Sequence, residues 1–404
     1  MAADKGVNRY LTTFIIASLG MIGPFAIDAI FPAFELMGSD LSASAAAMQQ
    51  VTSIYMLSYA MLSLFHGPIS DAIGRKPVMI AGLLGFAAAS VLCAVAPNLV
   101  VMLVGRALQG MFAGAAQIVS RTIIRDLYVG PAAQRMMAQV AMIFAIAPAL
   151  APIVGGLILG VGSWRLVFAA LVGVGLLLAI VVAVAMPETH ARENRRELNV
   201  ADIFRGLRSV LSDGPYMRLA FAGVFGFAAQ FIYVMGAPII MLKLLGKGEQ
   251  DFWMLFVPLV TGMILGSFVN ARFAHLIAPK RMVTIAMTTL LIATLVGIVI
   301  AAVAGNHLPW VMLMPPVIAF SMSVSFPILQ LSQLDRFPTR RGAAASGQAF
   351  IQLLFNSLLS GVIVSLVASS MLSIAITSAV FGLVGWLFWQ WSLRRPAQPR
   401  VEAA

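Results

Sequence analysis

Residues 98–121 read NLVVMLVGRALQGMFAGAAQIVSR, an apolar run with one guanidinium, Arg106, set inside it and a second, Arg121, at its end. A run of this length crosses the ~30 Å hydrocarbon core of a bilayer as one helix. An arginine at that depth costs about 2.5–3.5 kcal/mol on the lenient insertion scale. It cannot shed its proton, so it must meet a carboxylate, backbone carbonyls or water. A buried network of arginine with carbonyls and a charge serving a transport pathway both answer that demand. The small residues around it, Gly105, Ala107, Gly110, Gly114, Ala115 and Ala116, permit a second helix to approach closely.

Working outward, eleven more apolar runs fall at about 10–34, 45–66, 77–97, 136–160, 165–187, 217–242, 251–271, 281–304, 308–331, 343–368 and 372–392. The chain is 61% hydrophobic and only 10% charged, which excludes an ordinary soluble domain. Runs this long between brief polar breaks also exclude the short alternating strands of a membrane β-barrel. The net charge of +11 could suggest nucleic acid, but its placement points elsewhere. With the N-terminus in the cytoplasm, every basic residue except Arg106, Arg165, Lys243 and Lys247 falls on the inner side, as the positive-inside rule requires. The expectation is an all-α integral membrane protein of twelve transmembrane helices, with both termini cytoplasmic. The first run is too long for a signal-peptide core and reads as a retained helix. The lone Cys93 can form no internal disulfide and reads as a small core residue.

The one long polar stretch separates the sixth and seventh runs. It predicts an N-terminal six-helix bundle over 1–190, a cytoplasmic linker over 191–214 and a C-terminal bundle over 215–404. In the linker Ile203, Leu207, Val210 and Leu211 share a helical face, suited either to the inner leaflet or to a merely solvated helix. The halves echo each other weakly: Gly67 and Asp71 correspond to Gly266 and Asn270, and Arg125-Asp126 to Asp335-Arg336. Such duplication is typical of transporters.

A second intramembrane charge, Asp28, sits in GPFAIDAIFPAF (23–34) between Pro24 and Pro32, which loosen the backbone ladder around it. Asp28 and Arg106 fall at similar depth in the outer half of the bilayer, and they form the expected proton-coupling pair. Hydration of an Asp near the surface is the bland alternative. After the second run comes GPISDAIGRKP (67–77), whose Gly67, Asp71, Gly74 and Arg75 read as a cytoplasmic gate. In APALAPIVGG (147–156), Pro148, Pro152, Gly155 and Gly156 read as a kinked, closely packed hinge region. Tyr55, Tyr59, Gln117, Gln139, Gln230, Tyr233, Gln348 and Gln352 are polar groups within runs. They are the candidate lining of a substrate cavity, although interhelical hydrogen bonding explains each about as well.

These stretches resemble the bicyclomycin/chloramphenicol-resistance group of the major facilitator superfamily. The loop matches its GxxxDxxGR(K/R) pattern, the fourth run its RxxQG, and the fifth its GPxxGG with Ala151 in place of the first glycine. The pair Trp164-Arg165 and the PET at Pro187–Thr189 follow in family order. The resemblance implies two six-helix bundles with pseudo-twofold symmetry in a bacterial inner membrane. It also implies a cytoplasmic charge cluster drawing in Arg125 and Asp126. Its functional implication is a proton-coupled antiporter, working by alternating access, that exports small amphipathic drugs. Asp28 would carry the proton and Arg106 would tune it. Expected partners are the lipid bilayer, protons and drug-like substrates, with no nucleic acid, no cofactor, no metal and a monomeric state. A proton-coupled importer of a sugar or organic acid is the alternative. A membrane enzyme is improbable, because HExxH, paired carboxylates and a nucleophile elbow are all missing.

Overall fold

The computed structural model describes residues 9–128, 130–195, 197–338 and 340–394. Among them the chain is helical throughout and divides into two compact units, Met1–Val200 and Ala201–Ala404. Ten helices are long and apolar enough to cross a membrane by length and composition.

In the first unit α1 (Arg9–Asp28) stops at the buried aspartate, and the chain continues as a single turn of 3₁₀ helix (Phe31–Ala33) and a short α2 (Phe34–Asp40). The sequence explains the break, because Pro32 cannot donate to the Asp28 carbonyl four residues back. The first apolar run is therefore discontinuous, not one helix. Next come α3 (Ala45–Ile73), α4 (Arg75–Ala94), α5 (Leu99–Leu127), α6 (Gly130–Leu159) and α7 (Arg165–Ala185). Ser44 and Asn98 cap α3 and α5 by accepting from the amides of Ala47 (3.2 Å) and Val101 (3.0 Å). On α7 the residues Leu177, Ile180 and Val184 are exposed while Phe168, Leu171 and Val182 are buried. Both faces are apolar. Only lipid is a fitting solvent for the outer one.

The second unit holds α8 (Val200–Leu211), α9 (Gly214–Met235), α10 (Trp253–Phe273), α11 (Pro279–Ala304), α12 (Met314–Asp335), α13 (Arg341–Leu358), the one-turn α14 (Ser365–Val367) and α15 (Met371–Arg394). Two runs expected as plain α-helix end in π-helical turns, at Ile239–Leu244 and Leu359–Val364. The linker helix α8 turns part of its apolar side onto protein. Its Leu207 and Val210 are buried, and Val210 packs with Tyr216, Phe337 and Ala344 of its own unit. Asp213 then caps α9 through the Tyr216 amide (2.8 Å) and takes a bidentate pair from Arg336 at 2.7 and 2.9 Å.

Candidate functional site

The geometry around Arg106 begins with glycine. A methyl on Gly110 would overlap the Tyr55 carbonyl and the Ser58 hydroxyl, so α5 rests directly on the backbone of α3. That contact lays the Arg106 guanidinium over the Tyr55 ring, 4.2 Å from its centre, a cation–π arrangement. Arg106 is fully buried. Its Nε donates to the Val51 carbonyl (3.1 Å) and its Nη1 to the Ala26 carbonyl (3.1 Å). Nη1 also meets the Gln109 side-chain oxygen, and Gln109 in turn donates to Ser90 Oγ (2.7 Å). Nη2 is buried and has no partner among the described residues.

The Ala26 carbonyl belongs to the last turn of α1, where helical carbonyls lack intrahelical donors. Arg106 therefore caps the broken end of the helix that carries Asp28, two residues on. Asp28 is 4% exposed, and no ion pair among the described residues includes it. Tyr55 lies within electrostatic reach of both charges. Its hydroxyl donates to the Gly23 carbonyl of α1 (3.1 Å), one turn before the break. Tyr59 stacks edge-on to Tyr55 and donates to Gln117. Helix α6 closes the other side. A methyl on Gly155 would overlap the Ala29 carbonyl, so this glycine seats α6 against the break itself. Pro148 and Pro152 lie inside α6, which continues through both of them. Gly156 is buried beside Gly155.

Asp28, Tyr55, Tyr59, Arg106 and Gln117 are thus brought together by α1, α3 and α5. Sequence reasoning met Gln109 only as a letter of the RxxQG motif, without a role, and passed over Ser90. Gln109 lies one turn from Arg106 on the same face, which was a usable signal, whereas a lone serine in an apolar helix gives none. Gln139 and Arg125 lie outside the residues whose side chains the structure describes. In the second unit α13 forms a buried stripe of Gln348, Gln352 and Asn356. Gln330 donates to Gln348 (2.8 Å) and Gln352 to Asn356 (3.1 Å), while the Gln352 oxygen is buried with no partner among the described residues. Gln230 is buried in α9. Tyr233 lines a small cavity with Gly297, Trp310 and Met371 instead of joining the glutamine stripe.

A second cluster occupies the far ends of α3, α4 and α5. Arg75 is 4% exposed and pairs with Asp71 (2.5 Å) and Asp126 (3.1 Å), with Ser70 Oγ at 2.6 Å. Thr189 adds a hydrogen bond to Asp126 (3.1 Å). Glu188, passed over as a functional residue in the sequence, accepts from the amides of Arg75 (3.0 Å) and Lys76 (3.2 Å) and so caps α4. Gly74 is indispensable to this turn. Its φ is +108°, and a Cβ there would stand 2.6 Å from Glu188 Oε2. Gly67 has open space around it, so close packing does not dictate its identity.

Comparison with known proteins addresses the family of the chain as a whole. The family model described as the Major Facilitator Superfamily matches residues 16–358. The bicyclomycin resistance protein homolog of Haemophilus influenzae is 30% identical, covering 70% of this chain and 72% of its own length. Multidrug resistance protein D of Escherichia coli is 25% identical, covering 96% of each chain. Among solved structures, a bacterial homolog to the human lysosomal transporter Spinster superposes with a TM-score of 0.76 at 15% identity, covering 100% of both chains.

Proposed function

The chain belongs to the major facilitator superfamily, and from that premise we propose that it is a proton-coupled antiporter exporting small amphipathic drugs across the bacterial inner membrane by alternating access. The observation that carries the reading is Asp28, a buried acid at the broken end of α1 with no ion pair among the described residues. An ionised acid in such surroundings is costly unless paired or hydrated. Loading and unloading its proton is therefore tied to whether its site is open to water. The relatives named for bicyclomycin and multidrug resistance supply the cargo class. The lack of any further embedded acid among the candidate residues suits apolar drugs better than sugars or organic anions.

On this reading, Asp28 takes a proton from the periplasm, which favours one facing state. Releasing it to the cytoplasm makes room for cargo. Arg106 holds the carbonyl at the break, so its position follows the backbone on which Asp28 rides. The Arg75–Asp71–Asp126 cluster latches the cytoplasmic ends of α3, α4 and α5. Energised inverted vesicles, presented with a panel of antibiotics and dyes while proton movement is recorded, test the scheme. Asp28→Asn is expected to abolish proton-driven drug uptake into the vesicles, a loss of roughly tenfold or more. Full uptake by that variant under a pH gradient refutes the assignment.

A further inference from the structure

We propose that the start of α4 and the segment after α7 form a binding site for an anionic phospholipid. Between them lies a groove of about 700 Å³. Its polar end carries Lys76, Arg192 and Arg195, and its apolar wall is Pro77, Ile80, Ala81 and Leu84. Lys76, Ile80 and Leu84 recur every fourth residue on one face of α4, which spans about 12 Å along the helix axis. Leu84 is 48% exposed on a helix apolar enough to cross the bilayer, so this wall faces lipid chains. A headgroup at the helix end and an acyl chain along the wall fit that layout. A soluble anion would leave the wall unused.

The lining carries three cations, Lys76, Arg192 and Arg195, against one carboxylate, Glu188, a net excess of positive charge that draws an anion. Glu188 and His190 also line the groove, but both Glu188 oxygens are turned to backbone amides, those of Arg75, Lys76 and His190. Among the described residues Arg195 takes part in no ion pair, and its buried Nε has no partner there. Gly74 makes room for it: a Cβ there would stand 2.8 Å from the Arg195 guanidinium. An unpaired arginine fork beside a lysine and a second arginine is a receptor for phosphate oxygens, and juxtamembrane basic residues draw anionic lipid. Because Glu188 also caps α4 next to Arg75, the lipid would sit against the latch.

The full-length protein in nanodiscs of phosphatidylethanolamine, with or without phosphatidylglycerol, tests this. Retained lipid is counted by native mass spectrometry, and the thermal midpoint is followed in parallel. Arg192→Ala/Arg195→Ala is expected to weaken phosphatidylglycerol retention roughly tenfold or more and to remove the lipid's effect on the midpoint. Arg205→Ala/Arg208→Ala, which removes the same charge from α8, the next helix along the chain, is expected to do neither. Ile80→Gln/Leu84→Gln, which leaves the cations in place, should also lose retention. Equal loss in the α8 control overturns the site. So does protection by soluble glycerol phosphate matching that of the lipid, since that outcome assigns the groove to a free anion.

Discussion

Arg106 donates to two backbone carbonyls on two different helices, Ala26 on α1 and Val51 on α3, and no salt bridge joins it to Asp28. Both readings open to a lone arginine in an apolar run thus meet in one side chain: it forms a carbonyl network, and that network is fastened to the helix end bearing the acid. The fork geometry matters more here than the charge. A lysine at this position keeps the charge but presents one compact ammonium, unable to reach both carbonyls and Gln109 together. Each such bond within a membrane protein contributes about 0.6 kcal/mol on average and at most about 1.7. Arg106→Lys is therefore expected to lower the thermal midpoint, with a loss of about 1–2 kcal/mol, and to reduce export. A thermal unfolding curve beside a vesicle assay checks this. A lysine variant as stable and active as the parent would mean that charge alone serves.

At the scale of the helices, glycines decide which backbones touch. Gly110 sets α5 on α3 and Gly155 sets α6 on the break after Asp28, whereas a methyl on Gly173 of α7 meets nothing. Gly155→Ala must push α6 away from Ala29 or distort it, at a cost of about 1–3 kcal/mol. Gly173→Ala should be close to neutral in stability. Comparing the two in thermal midpoint and proton-driven transport separates a packing role at the break from a general penalty for methylating helix glycines. The small-residue patterns of α5 and α6 were legible in the sequence as close-contact surfaces, but their partners were not. A GxxxG-like spacing says that something approaches, and only the fold says that it is the carbonyl of Tyr55 or of Ala29. The break in α1 was half legible, since Pro24 and Pro32 announced a weakened ladder without saying which of them ends the helix. The cap that Glu188 places on α4 was not legible at all, because that contact joins positions 113 residues apart.

For the whole molecule, the strongest information in the sequence was hydropathy and the placement of charge. Length and composition sufficed for the all-helical membrane class, because a bilayer leaves a chain with such long apolar runs almost no other way to satisfy its backbone. The packing of the linker helix was not legible for the same reason. Hydropathy reports that a face is apolar, and Val210 found its partner in Tyr216 and Phe337, not in lipid or water. Orientation rests on the asymmetry of basic residues and can be tested through the chain's own composition. Its single cysteine, Cys93, is buried, so Cys93→Ala supplies a background silent to thiol reagents. A cysteine at Ser163, in the turn between α6 and α7, should react with an impermeant maleimide in intact cells. One at Glu193, in the segment after α7, should react only after the membrane is opened. The two sites are joined by α7 (Arg165–Ala185), about 30 Å of helix, so one bilayer must separate them. Labelling of Glu193→Cys in intact cells with Ser163→Cys protected would invert the chain. Inversion would put the Arg75–Asp126 cluster on the periplasmic side and turn the proposed direction of proton entry at Asp28 around.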